Sequence, residues 1–381
     1  MKSLWHLKKL NTLITSLLSK PLKISYFAAS QQNKLLKIME YNKLPGTDIE
    51  VSKICLGTMT WGRQNSEVEA FEQMDYSLDQ GVNFFDTAEL YPVPATPERY
   101  ADTEKIIGNW ITSRKSRDKI ILASKIAGPG DYTAHIRKTG YKGNSIEEAV
   151  NGSLKRLKTD YLDLYQLHWP DRATNYFGKR GFEYINDGWE DNFKENLETL
   201  KKIVDSGKIK HVGLSNENAW GIMKYLEYSK TGLPKMITIQ NPYSLLNRLF
   251  EVGSAEICKR ENVGLLAYSP LGFGVLSGKY RNGNMPEDSR LKLFSNLARF
   301  SNEKCFEATE LYFNIADKHN LSLAEMSLAF VNDRPFVTSN IIGATNMEQL
   351  KENINSINIK LSKEIISEIN LVSEKIPNPA P

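Results

Sequence analysis

Apolar residues fall along this chain in short, separated runs of two kinds. Lys53–Gly57, Asn83–Ala88, Lys119–Ile126, Tyr161–Trp169, Lys210–Asn216, Met236–Asn241, Val263–Leu271 and Ser339–Gly343 are brief apolar stretches closed by Gly, Pro, Asn or charged residues, the pattern of β-strands. They lack strict apolar–polar alternation, which predicts strands buried on both faces, as in a parallel sheet. Between them, segments with helical spacing predict helices over Ser66–Gln80, Thr103–Ile111, Ser145–Leu157, Phe193–Asp205, Ala219–Ser229, Glu251–Glu261, Cys305–His319, Ser322–Phe330 and Met347–Ile357. Ser66 is placed to cap the first of these, and Gly81 to stop it. Ser145-Ile146-Glu147-Glu148 has the form of a capping box. Leu361–Val372 predicts one more helix at the C-terminal end.

Ahead of this series, Tyr41–Leu44 and Ile49–Val51 flank Pro45-Gly46-Thr47-Asp48, which reads as a β-hairpin able to plug one end of a barrel. Eight strand-then-helix units follow it, and that count defines the α/β class and a single (β/α)8 TIM barrel over residues 39–381. The alternative is an open doubly wound sheet, which usually carries G-x-G-x-x-G after its first strand. Here the first strand runs into Leu56-Gly57-Thr58-Met59-Thr60-Trp61-Gly62 instead.

In such a barrel the chemistry sits at the C-terminal ends of the strands. Asp86 ends strand two, Lys125 ends strand three and His168 ends strand four. Tyr91 lies in the loop leaving strand two. Consecutive strands are neighbours, so these four groups converge. Taken singly, each has a plainer role as a cap, a packed ring or a solvated charge. Together they suit carbonyl reduction. Tyr91 offers a proton, and its free pKa of ~10 calls for a nearby ammonium to lower it. Lys125 supplies that charge, Asp86 orients Lys125, and His168 hydrogen-bonds the carbonyl oxygen.

Phe85-Asp86-Thr87-Ala88-Glu89-Leu90-Tyr91, Lys125 and Leu167-His168-Trp169-Pro170 resemble the catalytic segments of the aldo-keto reductases. Ile239-Gln240-Asn241-Pro242-Tyr243-Ser244-Leu245-Leu246-Asn247-Arg248 and the ending Pro377-Asn378-Pro379-Ala380-Pro381 resemble the Tas-like branch of that family most. The resemblance spans roughly residues 40–381. It implies an NADP(H)-dependent reductase of aldehyde or ketone carbonyls, with Tyr91 as proton donor.

The resemblance also implies a cofactor site. Ser215, Asn216 and Gln240 are expected to bind the nicotinamide carboxamide, and Tyr243 to stack on its ring. Ser269, Leu271, Gly274 and Lys279 are expected to line the pyrophosphate, and Gly343, Thr345, Gln349 and Asn353 the adenosine. Many members carry Arg where Gln349 stands, to grip the 2′-phosphate of NADP. Arg290 or Lys279 is the expected substitute, and NADH stays open beside NADPH. In the long segment Asp171–Asn192, the residues Tyr176, Phe177, Phe182, Tyr184 and Trp189 join Trp61 and Trp169 as candidate walls of a substrate pocket.

Composition narrows this picture. Of 381 residues, 49 are basic and 45 acidic, but residues 1–38 hold seven lysines and no acid, which leaves 42 basic against 45 acidic residues beyond them. The body therefore gives no electrostatic case for a nucleic-acid partner. Cys55, Cys258 and Cys305 are too sparse for a disulfide framework or a zinc site, so no metal is expected. No apolar run reaches the roughly 18 residues of a membrane span. The expectation is a cytoplasmic monomer or small homo-oligomer acting on a small-molecule carbonyl. The basic, acid-poor stretch 1–38 reads as a disordered extension or as an organellar targeting segment, mitochondrial for example, although it holds no Arg. Two other functions stay open: a non-catalytic NADP-binding regulatory subunit like the potassium-channel β-subunits, and a lyase or isomerase using Lys125 as a Schiff base.

Overall fold

The computed structural model describes residues 39–183, 186–294 and 298–381. The stretch 1–38 lies outside the described residues, as does Tyr184. The described residues begin with strands β1 (Tyr41–Lys43) and β2 (Glu50–Ser52), an antiparallel hairpin. Eight parallel strands follow: β3 (Ile54–Gly57), β4 (Phe84–Asp86), β5 (Ile121–Ile126), β6 (Leu162–Leu167), β7 (Ile209–Ser215), β8 (Met236–Pro242), β9 (Gly264–Tyr268) and β10 (Val337–Ile342). They close into a barrel in sequence order, with β10 pairing back onto β3.

Helices return the chain between strands: α1 (Glu67–Asp79), α2 (Asp102–Arg114), α3 (Ser145–Leu157), α4 (Phe193–Asp205), α5 (Ala219–Ser229) and α6 (Ser254–Glu261). The short α7 (Arg290–Leu293) precedes α8 (Glu303–Lys318) and α9 (Leu323–Asn332), and α10 (Met347–Asn355) and α11 (Lys363–Lys375) close the chain. This is the (β/α)8 TIM barrel that the strand–helix alternation predicts, with its hairpin and its extra C-terminal helix.

The main core lies between strands and helices. Leu56, Phe85, Leu122 and Leu214 face outward from the sheet into a cluster with Trp110, Ile146, Leu197 and Ile222 of the helices. Residues one position away along the strands, such as Cys55, Phe84, Ala123 and Leu164, point into the barrel. There they pack against Leu44 and Val51 of the hairpin, which seals the end where the strands begin.

Ser66 caps α1 in a full capping box with Glu69, and Gly81 follows the helix at φ +84°. The capping box read at Ser145 does not form. Ser145 is the first helical residue rather than the cap, and its hydroxyl pairs with Thr139 Oγ1 at 2.7 Å, while Asn144 occupies the cap without a side-chain bond. The helix read over Glu251–Glu261 starts instead at Ser254, after a 3-10 turn over Leu249–Val252. The three cysteines are free and buried. Among the described residues, no helix is long and apolar enough to cross a membrane.

Candidate active site

Side chains alternate along a strand. Phe84 and Ala123 fill the barrel, so Asp86 and Lys125, two positions further along β4 and β5, point inward one layer higher. The same step on β6 leads from Leu164 to Gln166 and then to His168, just past the strand. Lys125 Nζ stands 2.6 Å from Asp86 Oδ2 and donates to Thr87 O at 2.8 Å. Asp86 Oδ1 accepts from Gln240 Nε2 at 2.8 Å and from Gln166 Nε2 at 3.2 Å. Burial opposes the ammonium, but Asp86 and Tyr91 outweigh it and hold Lys125 above the usual lysine range.

Tyr91 is only 8% exposed, and its ring centroid lies 4.9 Å from Lys125 Nζ. The tyrosine is pushed up from its ordinary pKa rather than down. Burial raises it, and the opposing pull of Lys125, which was expected to dominate, is the smaller effect. The His168 and Tyr91 rings meet edge-on at 5.8 Å. Burial, with Lys125 nearby, holds His168 well below the usual histidine range, so the ring is neutral. Its Nδ1 is buried without a hydrogen-bond partner.

The loop carrying Tyr91 is pinned to the next strand. Thr87 N and Glu89 N donate to the carbonyls of Ala123 and Lys125 at 2.9 and 3.2 Å. The Glu89 carboxylate, fully buried, accepts from Ala127 N at 2.6 Å and from both Arg137 nitrogens, Nη2 at 2.9 Å. Sequence reasoning named neither Glu89 nor Gln166. The first lies inside the Asp86–Tyr91 segment, and the second sits two residues before His168 on the same face of its strand.

Above the tetrad, Ser215 Oγ donates to Gln240 O at 2.8 Å, and Asn216 Nδ2 donates to His168 O at 2.8 Å. Ser215, Asn216 and Gln240 are therefore brought to the catalytic corner, with the Gln240 Nε2 turned down toward Asp86. Tyr243 is not. It is fully buried, its ring stacks on Phe330 at 6.1 Å with Phe336 edge-on at 5.2 Å, and its hydroxyl bonds Glu251. A ring enclosed in this way cannot stack on a ligand. Tyr268, the last residue of β9, stands at the corner instead, donating to Asn216 Oδ1 at 2.6 Å. The strand-end rule applied to β9 points to it. The guanidinium of Arg299 lies against its hydroxyl.

Beyond β9 the chain turns through Ser269, at φ +54°, into a 3-10 segment over Gly272–Ser277. Gly274 has φ +90°, and a Cβ there would come 2.7 Å from Lys279 Cε, so glycine lets Lys279 fold against the turn. The Gly274 N–H donates to Leu271 O at 2.9 Å, so this glycine gives shape rather than a free donor. The Arg290 guanidinium lies 5.0 Å from the Phe273 ring and pairs with no carboxylate among the described residues. Burial pulls its pKa down to about 10, against the opposing influence of Tyr280 and Tyr91. At the barrel's closing helix, Thr345 N and Oγ1 donate to Gln349 Oε1 at 3.0 and 3.1 Å, and Asn353 Nδ2 donates to Gly343 O at 3.0 Å.

Of the candidate aromatic walls, Trp169 lies 5.0 Å from His168, and Phe177 packs on it at 5.7 Å with Tyr176 behind. Gly128 permits this, since a Cβ there would come 2.3 Å from Trp169 Nε1. Trp61 is not a wall: it is fully buried and donates to Gln73 Oε1 at 3.1 Å. Trp189 joins Phe193 and Trp220 away from the tetrad, and Phe182 is 85% exposed.

A closed barrel with Asp86, Tyr91, Lys125 and His168 gathered at the strand ends is the architecture of a carbonyl oxidoreductase. The model of the aldo/keto reductase family matches residues 53–374, and the chain belongs to that family. Protein tas of Escherichia coli (strain K12) is 48% identical over 346 residues, covering 90% of this chain and all of that protein. The uncharacterized oxidoreductase YrpG of Bacillus subtilis (strain 168) is 34% identical over 338 residues, 87% of this chain and 95% of its own length. An aldo-keto reductase of Babesia bovis is 37% identical over 252 residues, 62% of this chain and 88% of its own. The protein is thus an oxidoreductase of a family that uses nicotinamide cofactors and acts on small carbonyl compounds.

Proposed function

We propose that the protein is an NADP(H)-dependent reductase of aldehydes or ketones, with Tyr91 as proton donor. The observation that carries this reading is the convergence of Tyr91, Lys125 and His168 on one corner, with Lys125 held 2.6 Å from Asp86. The half-buried, carboxylate-free Arg290 and the folded-back Lys279 fit a phosphate-bearing nicotinamide cofactor.

A bound nicotinamide supplies the hydride to the carbonyl carbon. The chain supplies the rest. Neutral His168 donates an N–H to the carbonyl oxygen and polarises it. Tyr91 passes its hydroxyl proton to the same oxygen. Lys125 balances the resulting phenolate, and Asp86 keeps Lys125 charged. Trp169 and Phe177 exclude water from the corner. NADP(H) rather than NAD(H) rests on the family resemblance. The Gln349 amide is neutral, and NADH therefore competes.

The test is fluorescence titration of the purified protein with NADPH and NADH, followed by cofactor oxidation with a panel of aldehydes and ketones. Tight NADPH binding with turnover is expected. Tight binding without turnover would move the function to a cofactor-sensing regulatory subunit.

A further inference from the structure

A cleft of about 640 Å³ opens between the loop that follows β6, the first turn of α8 and the segment 376–381. Arg180, Arg299, Lys304 and Lys375 line it against two carboxylates: Glu307, which Lys304 already holds at 2.6 Å, and the chain-end carboxylate of Pro381. Arg180 is fixed by Pro379 O, which accepts from its Nη2 at 2.9 Å, but a carbonyl leaves the charge unbalanced. Arg299 Nε is buried and bonds nothing. Neither arginine pairs with a carboxylate among the described residues. An oxyanion in the cleft meets two guanidinium groups that hold no carboxylate, one of them with a buried N–H still unbonded.

Two walls join this cleft to the catalytic corner. On one side Arg299 touches Tyr268, and Tyr268 bonds Asn216, whose amide holds His168 O at 2.8 Å. On the other, Gly178 of the cleft follows Phe177, which packs on Trp169 at 5.7 Å, and Trp169 packs on His168 at 5.0 Å. The cleft thus borders the catalytic corner at Tyr268 on one side and at Phe177 on the other.

We propose that the substrate is an anionic carbonyl compound, an aldehyde or ketone whose distal carboxylate or phosphate is bound in this cleft by the Arg299 guanidinium, with Arg180 beside it. The planar fork of arginine matches both oxyanions. The inference rests on the carbonyl-reductase reading above.

The test compares kcat/KM for matched pairs with NADPH: 4-carboxybenzaldehyde against benzaldehyde, and glyceraldehyde 3-phosphate against glyceraldehyde. The charged member of at least one pair is expected to win by on the order of tenfold or more, the size of one charge-assisted hydrogen bond, mainly through KM. Which pair shows the larger ratio tells carboxylate from phosphate. Arg299→Met is expected to bring that ratio to about one and Arg299→Lys to keep part of it. Arg180→Met, on the exposed loop, lowers it less and guards against a folding defect at Arg299. Equal kcat/KM within both pairs, or a ratio unchanged in Arg299→Met, overturns the proposal. Bound NADPH with no reduction of any of the four compounds overturns the reductase reading instead, and the substrate class with it.

Discussion

Lys125 Nζ meets Asp86 Oδ2 at 2.6 Å inside the barrel, with 0% and 3% of the two side chains exposed. So dry a pair is costly to break from one side, because the partner stays behind as an uncompensated charge. Asp86→Asn is therefore expected to lower stability by about 3–5 kcal/mol as well as activity. Urea unfolding of the variant beside the wild type checks this. An unchanged midpoint and slope would show that the pair carries no such weight.

Tyr91→Phe keeps the ring between Lys125 and His168 and removes only the proton. Carbonyl reduction is expected to fall by about 10²–10⁴-fold, the usual size of general acid catalysis, with NADPH affinity unchanged. Steady-state kinetics and fluorescence titration separate the two effects. Retained turnover would mean that another group delivers the proton.

The pH profile follows from the shifted groups. Tyr91 lies above its ordinary value, so it remains a proton donor through pH ~10, and reduction is lost only above that. His168 lies well below 6.5 when folded, so no activity limb arises near that pH. For stability the sign is opposite to that of a partnered histidine. Below the unfolded value of 6.5 the unfolded chain binds a proton that the folded one refuses, so stability falls as pH drops toward the folded value. His168→Gln should flatten that part of the stability curve, as measured by thermal unfolding between pH 7 and 5.

The two cofactor ends should respond differently. Arg290 stands beside Phe273 without a carboxylate partner, so Arg290→Met is expected to weaken NADPH and NADH alike, by on the order of tenfold for one charge-assisted contact. Gln349→Arg adds a cation beside Thr345 and is expected to favour NADPH over NADH. Titration of each variant with both cofactors decides. An Arg290 variant that loses NADPH selectively would return that arginine to the 2′-phosphate.

Gln166 donates to Asp86 Oδ1 at 3.2 Å and accepts from Gln240 Nε2 at 3.2 Å, which makes it a positioning residue for the pair above. Gln166→Leu is expected to lower kcat more than it raises KM, and to shift the alkaline limb as the charge balance at Tyr91 changes. Gln166→Asn is expected to recover part of the loss. A variant with wild-type kcat and pH profile would reduce Gln166 to packing.

The order of the elements was legible because periodicity is local. Helices α4 and α5 run over Phe193–Asp205 and Ala219–Ser229, the bounds that the spacing of apolar residues predicts. Eight strand–helix repeats admit few closures, and the strand-end rule then placed Asp86, Lys125 and His168 at one rim. What a ring faces is decided by partners far along the chain. Tyr243 lies in a stretch that resembles a cofactor-binding segment, yet Phe330 and Phe336 enclose it. Trp61 was a candidate wall until Gln73 and the packing of α1 buried it. Arg299 carries no local signal at all; its meaning comes from Tyr268 and Gly178, brought to it by the fold. The sequence by itself determined the repeat, the barrel and the chemistry at the strand ends, because each rests on side-chain order within a few residues. Only the tertiary structure decided which aromatic rings border the site and which cations stand without a carboxylate, because burial and charge balance depend on contacts that sequence spacing does not express.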